Sequence, residues 1–291
     1  MTFLVTGATS QIGHFLLPML DGHTLANDPR NGERTPVLAL SRRRPGVARG
    51  HVCWLQGALP AAPAIESPLR AAVSFGPIDA FAAWLDTAPL GPSPRVVATS
   101  SMSAESKRES IVASERAISQ RLRDGEQRLI DVCNRRGIAW TILRPTLIYG
   151  VGLDRSLTPI ARRAMRTRLF AYPDAPGLRQ PVHAQDVAQA ALRALERDAA
   201  VGVTFPLGGG ERITAGEMFR RVRASLPVAA LPIPLPVAPL KPLSQLHGAL
   251  RGPVSRLTAD LVADNTELRQ RLDVHPRPFR PTASAWGLDT P

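Results

Sequence analysis

The sequence predicts an α/β protein built on a parallel sheet with helices on both faces. Three observations carry that expectation. Short runs such as residues 3–6, 36–40 and 95–99 are mostly continuous apolar stretches rather than alternating ones, as strands buried on both faces are. The first forty residues read strand, turn, helix, strand, the order of a βαβ unit. The turn between the first strand and the first helix opens on Gly7 and closes on Gly13.

Taken in order, residues 3–6 form the first strand and Gly7 ends it. Residues 12–20 carry helix-like apolar spacing up to a turn around Asp21 and Gly22. The second to fifth strands fall at residues 36–40, 52–55, 71–75 and 95–99. A helix over 114–136 lines up Ile118, Leu122, Leu129, Val132 and Cys133 on one stripe, and Gly137 follows at its stop. Residues 139–143 form a sixth strand leading into Arg144 and Pro145. Beyond Gly150 the elements shorten. A helix is expected over 162–167, a Pro/Gly-rich loop over 171–181, a helix over 186–199 and a strand over 203–207 before Gly208, Gly209 and Gly210. A last helix over 214–225 is capped by Thr214. The prolines of 227–242 have apolar residues between them, which suggests a packed loop or lid.

Composition removes several function classes. With 291 residues, 44% hydrophobic and 21% charged, the chain buries a sizeable core and is not a disordered polymer. No stretch of about 18 apolar residues is free of both charge and proline, so no membrane span is expected. The N-terminus lacks a basic leader and opens on a strand pattern, so a soluble, cytoplasmic protein is expected. The formal net charge of +12 raises nucleic acid as a partner. Lys107 and Lys241 are the only lysines among 36 basic residues, and the arginines are spread along nearly the whole chain with few aromatics. That is a compositional bias rather than a concentrated basic patch, so no nucleic-acid partner is expected. Cys53 and Cys133 have no CxxC or His-rich neighbours, which argues against a zinc site or a disulfide framework.

The phosphate-binding candidate is the turn GATSQIG from Gly7 to Gly13. Gly7 permits a tight turn, Gly13 permits close helix-to-strand packing, and the helix N-terminus offers free amides to a pyrophosphate. A glycine turn without a ligand is the alternative. The end of the second strand bears on which dinucleotide would bind. NAD sites usually place an acid there for the ribose hydroxyls, whereas arginine suits a 2′-phosphate. Here stand Ser41, Arg42, Arg43 and Arg44, with no acid nearby, which favours NADP(H) over NAD; a solvated arginine cluster is the other reading.

Five blocks, TGATSQIG, VVATSSMS, ILRPTLIYG, PVHAQDVAQAAL and FPLGGGERITAGEMF, occur in order over nearly the whole chain. Together they resemble the extended or atypical short-chain dehydrogenase/reductases, the NAD(P)-dependent epimerase/dehydratase group. The resemblance implies a Rossmann-type dinucleotide-binding domain over residues 1–150. Residues 151–291 would form a substrate-side region that partly returns to the main sheet. It implies a cofactor lined by Gly7, Thr9, Ser10, Gln11, Ile12, Gly13, Ser41, Arg42, Arg43, Gly76, Thr99 and Ser100. Pro145, Thr146, Leu147 and Ile148 would lie near the nicotinamide, Met102 and His183 would lie on the substrate side, and Ser101 matches the family's active-site Ser/Thr. The partner implied is a small polar substrate, carbonyl or sugar-nucleotide-like, and a homodimer is compatible with it.

Two departures stand out. Ser10 replaces the middle glycine of GxxGxxG and places a side chain where backbone normally approaches phosphate. The family's catalytic Tyr and the Lys four residues later are both missing. The only tyrosines, Tyr149 and Tyr172, are followed at that spacing by Leu153 and Pro176. Counting back from Glu126 on the long helix, the equivalent positions are Ile118 and Leu122. Ser103 and Lys107 mimic the spacing but lie close to the fifth strand. Ser101 and Tyr149 are therefore the remaining catalytic candidates, Tyr149 being alternatively a core aromatic. Asp154 and Asp174 show no acid/base pairing. The sequence leaves two functions open: an NADP(H)-dependent enzyme with an unusual proton donor, or a non-catalytic NADP(H)-binding sensor or interaction protein.

Overall fold

Along the chain run β1 (Thr2–Thr6), α1 (Gln11–Asp21), β2 (Val37–Ser41), β3 (Val52–Gln56), β4 (Leu69–Ser74), α2 (Ile78–Leu85), β5 (Leu90–Thr99), α3 (Ser103–Ser106), α4 (Ala113–Arg136) and β6 (Ala139–Pro145). Then follow β7 (Ile148–Tyr149), α5 (Thr158–Thr167), β8 (Leu169–Asp174), β9 (Leu178–Arg179), β10 (Val182–His183), α6 (Ala184–Glu196), β11 (Val203–Leu207), β12 (Ile213–Thr214), α7 (Ala215–Ala224) and β13 (Leu231–Pro236). The computed structural model describes residues 2–21, 36–43, 52–236, 257 and 259–288. Gly22 and Arg44 lie outside these residues, as does the 237–242 part of the proline-rich stretch.

Seven strands form one parallel sheet in the order β11-β6-β5-β4-β1-β2-β3. This is the parallel sheet expected from the apolar runs, in the Rossmann-type α/β architecture that the resemblance implies. The side chains of β1 alternate between two cores. Phe3 and Val5 meet Ile12, Leu16 and Leu20 of α1 and Val187 and Ala191 of α6. Leu4 faces Phe81 and Leu85 of α2 and Leu129 and Cys133 of α4. Strand order reverses at β1, which has β2 on one side and β4 on the other, so the C-terminal ends of β1 and β4 frame a crevice. The second half of the chain returns to this sheet: α6 covers the α1 face and β11 pairs with β6.

The long helix ends at Gly137 in the left-handed conformation, φ 64°, as its position after Arg136 predicts. Thr214 caps α7 through its hydroxyl, which accepts from the Glu217 amide at 3.1 Å. Three expectations fail. Helix α2 is not anticipated, because eight residues between two prolines offer little periodicity. Strand β5 starts at Leu90 rather than 95, its early part being irregular through Pro92, Ser93 at φ 50° and Pro94. The stretch 171–181 is not a loop, since β8 and β9 fall within or overlap it.

The proline-rich stretch is also corrected: Leu231–Pro236 is an exposed edge strand, not a packed loop or lid. Every second residue is proline, and β13 pairs in parallel with β8 over six positions. The intervening residues turn their hydrogen-bonding groups to β8; the Leu231 amide, for one, donates to Arg168 O at 2.8 Å. The prolines then face away from β8, where they have no N–H to offer a further strand.

Candidate functional site

The site is built from the C-terminal ends of β1, β2, β4, β5 and β6. Gly7 has φ +65°, and the Ser10 amide closes the turn by donating to Gly7 O at 2.8 Å. A Cβ on Gly7 would stand 2.9 Å from the carbonyl carbon of Phe75, and one on Gly13 would stand 2.3 Å from Ala8 O. Both glycines therefore answer to backbone packed against backbone. Ser10 is resolved by its hydroxyl, which accepts from the Gly13 amide at 3.1 Å. It is the N-cap of α1, satisfying one of the helix's own donors. The amides of Gln11 and Ile12 have no acceptor among the described residues, and they are the donors the helix N-terminus presents. The Ile12 side chain belongs to the core.

Beside this turn, the Ser41 hydroxyl at the end of β2 lies 3.4 Å from Thr9 Oγ1 and accepts from the Arg43 amide at 3.3 Å. Arg42 and Arg43 follow it, both exposed. On the other side, Ser74 is a buried node: its hydroxyl accepts from Thr6 Oγ1 at 2.8 Å and from the Gly76 amide at 3.4 Å. Its carbonyl accepts from Thr99 Oγ1 at 3.2 Å. A Cβ on Gly76 would meet only Ser74 Oγ, at 4.0 Å, so space is open above it. Nothing in the sequence singles out Ser74, a small polar residue at the end of the strand Leu69–Ser74.

Gln11 spans the crevice, its Nε2 donating to Ile148 O at 3.1 Å, while its Oε1 is buried without a partner. The Ser100 amide donates to Leu143 O at 2.8 Å and its hydroxyl is likewise buried and unpartnered. Met102 is buried, its amide donating to Pro145 O at 2.9 Å. The Thr146 hydroxyl is spent on Gln180 O at 2.5 Å, and the Leu147 carbonyl accepts from Val182 at 2.9 Å. Of the sequence-predicted cofactor residues, Gly7, Thr9, Ser10, Gln11, Gly13, Ser41, Arg42, Arg43, Gly76, Thr99, Ser100 and Ile148 stand along this rim, with Ile12 contributing its backbone amide. Pro145, Thr146 and Leu147 tie β6 to the C-terminal region.

The catalytic candidates do not converge. The Ser101 hydroxyl accepts from the Ser103 amide at 3.1 Å, half-buried at the start of α3. Tyr149 is 2% exposed, with its ring 5.1 Å from His183 and 4.8 Å from Phe279. Burial pushes its phenol well above the usual tyrosine range, with the nearby Asp186 adding to the effect. This geometry is that of a core aromatic. His183 caps α6, its Nδ1 accepting from the Gln185 amide at 3.2 Å. Burial, then the Arg277 guanidinium, pushes its pKa down to about 4, so the ring is neutral with its proton on Nε2. Asp154 is consumed in capping α5, accepting from the amides of Ser156, Leu157 and Thr158.

On α4, Ile118 and Leu122 are half-buried and offer no titratable group. One turn beyond, Glu126 is 4% exposed and grips Arg144 with both oxygens, at 2.9 Å from Nε and 2.5 Å from Nη2. Arg144 also donates to Glu105 at 2.7 Å. One guanidinium thus joins β6, α3 and α4 behind the Ser100–Met102 bend. Glycines 208–210 are a packing junction: a Cβ on Gly209 would stand 2.0 Å from Pro181 O, and Asn265 bonds both Gly208 and Gly209. Among the described residues no group of three or more His, Cys, Asp or Glu is placed to hold a metal, and no helix is long and apolar enough to cross a membrane.

The residues at the rim fit a dinucleotide. Unpaired amides at the start of α1 suit a pyrophosphate, two exposed arginines stand at the end of β2, and two buried polar atoms lack partners on the far side. No family model matches the sequence, and no curated protein matches it. Among solved structures, the chain is similar to gox2253, with 21% identity and a TM-score of 0.71 over 98% of this chain and 97% of that one. It is also similar to MoeE5, solved with UDP-glucuronic acid and NAD, at 17% identity and a TM-score of 0.67 over 99% and 96%. A UDP-glucuronic acid 4-epimerase from Bacillus cereus, solved with UDP-glucuronic acid and NAD, gives 12% identity and a TM-score of 0.67 over 99% and 96%. The likeness is one of fold, over the shares of the chains just given.

Proposed function

We propose that the protein is an atypical extended short-chain dehydrogenase/reductase that binds NADP(H) across the ends of β1, β2 and β4. The observation that carries this reading is the pairing of an anion-ready α1 N-terminus with Arg42 and Arg43 at the next strand end. The amides of Gln11 and Ile12 would hold the pyrophosphate, and Arg42 and Arg43 the 2′-phosphate. The nicotinamide, when bound, supplies hydride exchange. The substrate would be a small polar molecule, carbonyl or sugar-nucleotide-like, the class that the fold neighbours MoeE5 and the epimerase were solved with. It would lie towards Ser101, Met102 and His183. Thermal-shift titration tests the cofactor: NADPH should raise the melting temperature more than NADH does, and Arg42→Ala with Arg43→Ala should remove the difference. Equal shifts in the native protein refute the arginine assignment.

A second reading, a non-catalytic NADP(H) sensor, is favoured by one specific observation. The two helical positions that correspond to the family's Tyr and Lys are Ile118 and Leu122, and both tyrosines of the chain are buried in the aromatic core. In this reading the fold binds the dinucleotide and reports on it without moving a proton.

A further inference from the structure

Hydroxyls and side-chain amides along the strand-end rim are not satisfied evenly. On the β1–β2 side those of the described residues have partners: Ser10 caps α1, and Thr9 and Ser41 meet each other. Thr6 is paired with Ser74, and Thr99 donates to the Ser74 carbonyl. Among the described residues of the rim, two buried side-chain atoms lack partners, Gln11 Oε1 and Ser100 Oγ, and both lie towards β5 and β6. Gln11 reaches Ile148, just beyond β6, and Ser100 follows β5 with its amide on Leu143 of β6. Because Gln11 Nε2 is fixed by a carbonyl acceptor, the free atom of its amide is the oxygen, which can only accept. Ser100 has a hydroxyl proton to donate. Buried groups of this kind are costly to leave unmade, so the rim is short of one donor and one acceptor on this side.

A dinucleotide lying across the switch point with its adenosine ribose at β2 has its nicotinamide half over β4 to β6. That half carries a primary carboxamide and ribose hydroxyls, groups that both donate and accept. We propose that Gln11 and Ser100 recognise the nicotinamide half of the ligand, Gln11 Oε1 accepting from one of its N–H or O–H groups and the Ser100 hydroxyl donating to one of its oxygens. Gln11 then does two jobs, bracing the Ile148 carbonyl with its nitrogen and reading the ligand with its oxygen. The assignment rests on the NADP(H) reading above.

Isothermal titration of the full chain with NADPH and with adenosine 2′,5′-bisphosphate, which keeps the 2′-phosphate but lacks the nicotinamide half, tests it. Gln11→Met and Ser100→Ala should each weaken NADPH about tenfold, the loss of one ligand hydrogen bond, and leave the bisphosphate within about twofold of wild type. Ligand-free Ser100→Ala should melt no lower than wild type, because its hydroxyl has no protein partner to lose. Equal weakening of both ligands would make these side chains props of the turn, and undiminished NADPH binding in both variants would remove them from recognition; either result overturns the assignment while the NADP(H) reading stands. A wild-type protein that binds neither ligand overturns both.

Discussion

Gly7 and Phe75 meet backbone to backbone: the Phe75 amide donates to Thr6 O at 3.1 Å, and a Cβ on Gly7 would come within 2.9 Å of the Phe75 carbonyl carbon. That contact draws the ends of β1 and β4 together at the point where strand order reverses, and it sets the floor of the crevice.

Gly7→Ala should therefore cost about 1–3 kcal/mol of stability, from a left-handed φ and a backbone clash together. It should also abolish dinucleotide binding by opening the floor. Gly13→Ala should do the same through Ala8 O, 2.3 Å from where the new Cβ would sit. Chemical denaturation and a binding titration on each variant check both effects, and native-like binding in Gly7→Ala would show that the crevice is not the ligand site.

Ser10 separates two roles that sequence alone leaves entangled. Because its hydroxyl already accepts from Gly13, Ser10→Gly should cost only a few tenths of a kcal/mol and keep or improve binding, while Ser10→Ala should cost about 0.5–2 kcal/mol through the lost cap. A marked loss of affinity in Ser10→Gly would mean that the hydroxyl turns from the helix to a phosphate.

The sheet and the glycine turn were legible because both depend on local signals: continuous apolar runs for strands buried on two faces, and glycines where backbone meets backbone. Strand β13 was not, because its alternating prolines with apolar residues between them read as a packed loop or lid until β8 supplies a partner for those residues. The rim's hydrogen-bond deficit was also hidden. Gln11 and Ile148 are 137 residues apart, and only the fold reveals which end of the Gln11 amide is spoken for. Tyr149 shows the limit from the other direction. Its place after β6 left a substrate-facing phenol and a core aromatic both open, and the choice falls to the core because Phe279 and Trp286, which bury it, come from the far end of the chain.

Glu126 and Arg144 should be coupled strongly. Removing Glu126 strands a guanidinium whose side chain is 18% exposed but which keeps Glu105, so Glu126→Ala should cost about 2–3 kcal/mol, under the ~3–5 typical of a wholly buried pair. Glu126→Leu combined with Arg144→Met should recover most of that loss. Additive losses in the double variant would show that the pair is not acting as a unit.

The neutral His183 has a pH signature. Its native pKa of about 4 lies below the ordinary value of 6.5, so the unfolded chain takes up the proton first as pH falls. The stability this contributes is full above about pH 6.5 and is lost progressively as pH drops towards 4. His183→Asn keeps a capping acceptor and cannot titrate, so its unfolding free energy should fall less steeply than wild type across that window. Parallel curves in urea denaturation at pH 7, 5.5 and 4.5 would place the imidazole in water.

Catalysis is the sharpest test of the site. General acid–base transfer is worth about 10² to 10⁴-fold in rate and needs a titratable group within hydrogen-bond reach of the reacting oxygen. Ile118 and Leu122 offer none, the Ser101 hydroxyl, which accepts from the Ser103 amide, is an alcohol rather than a titratable acid or base, and the Tyr149 phenol is buried with its pKa raised. The protein should therefore bind NADPH but turn over carbonyl and sugar-nucleotide substrates slowly or not at all. A substrate panel followed by NADPH absorbance, run beside Ser101→Ala and Tyr149→Phe, decides the matter. Turnover lost in Ser101→Ala would assign the proton step to that hydroxyl and make the protein an enzyme, and loss in Tyr149→Phe would require the aromatic cluster to open. Robust turnover untouched by either substitution would place the chemistry on a group that neither the sequence nor the rim identifies.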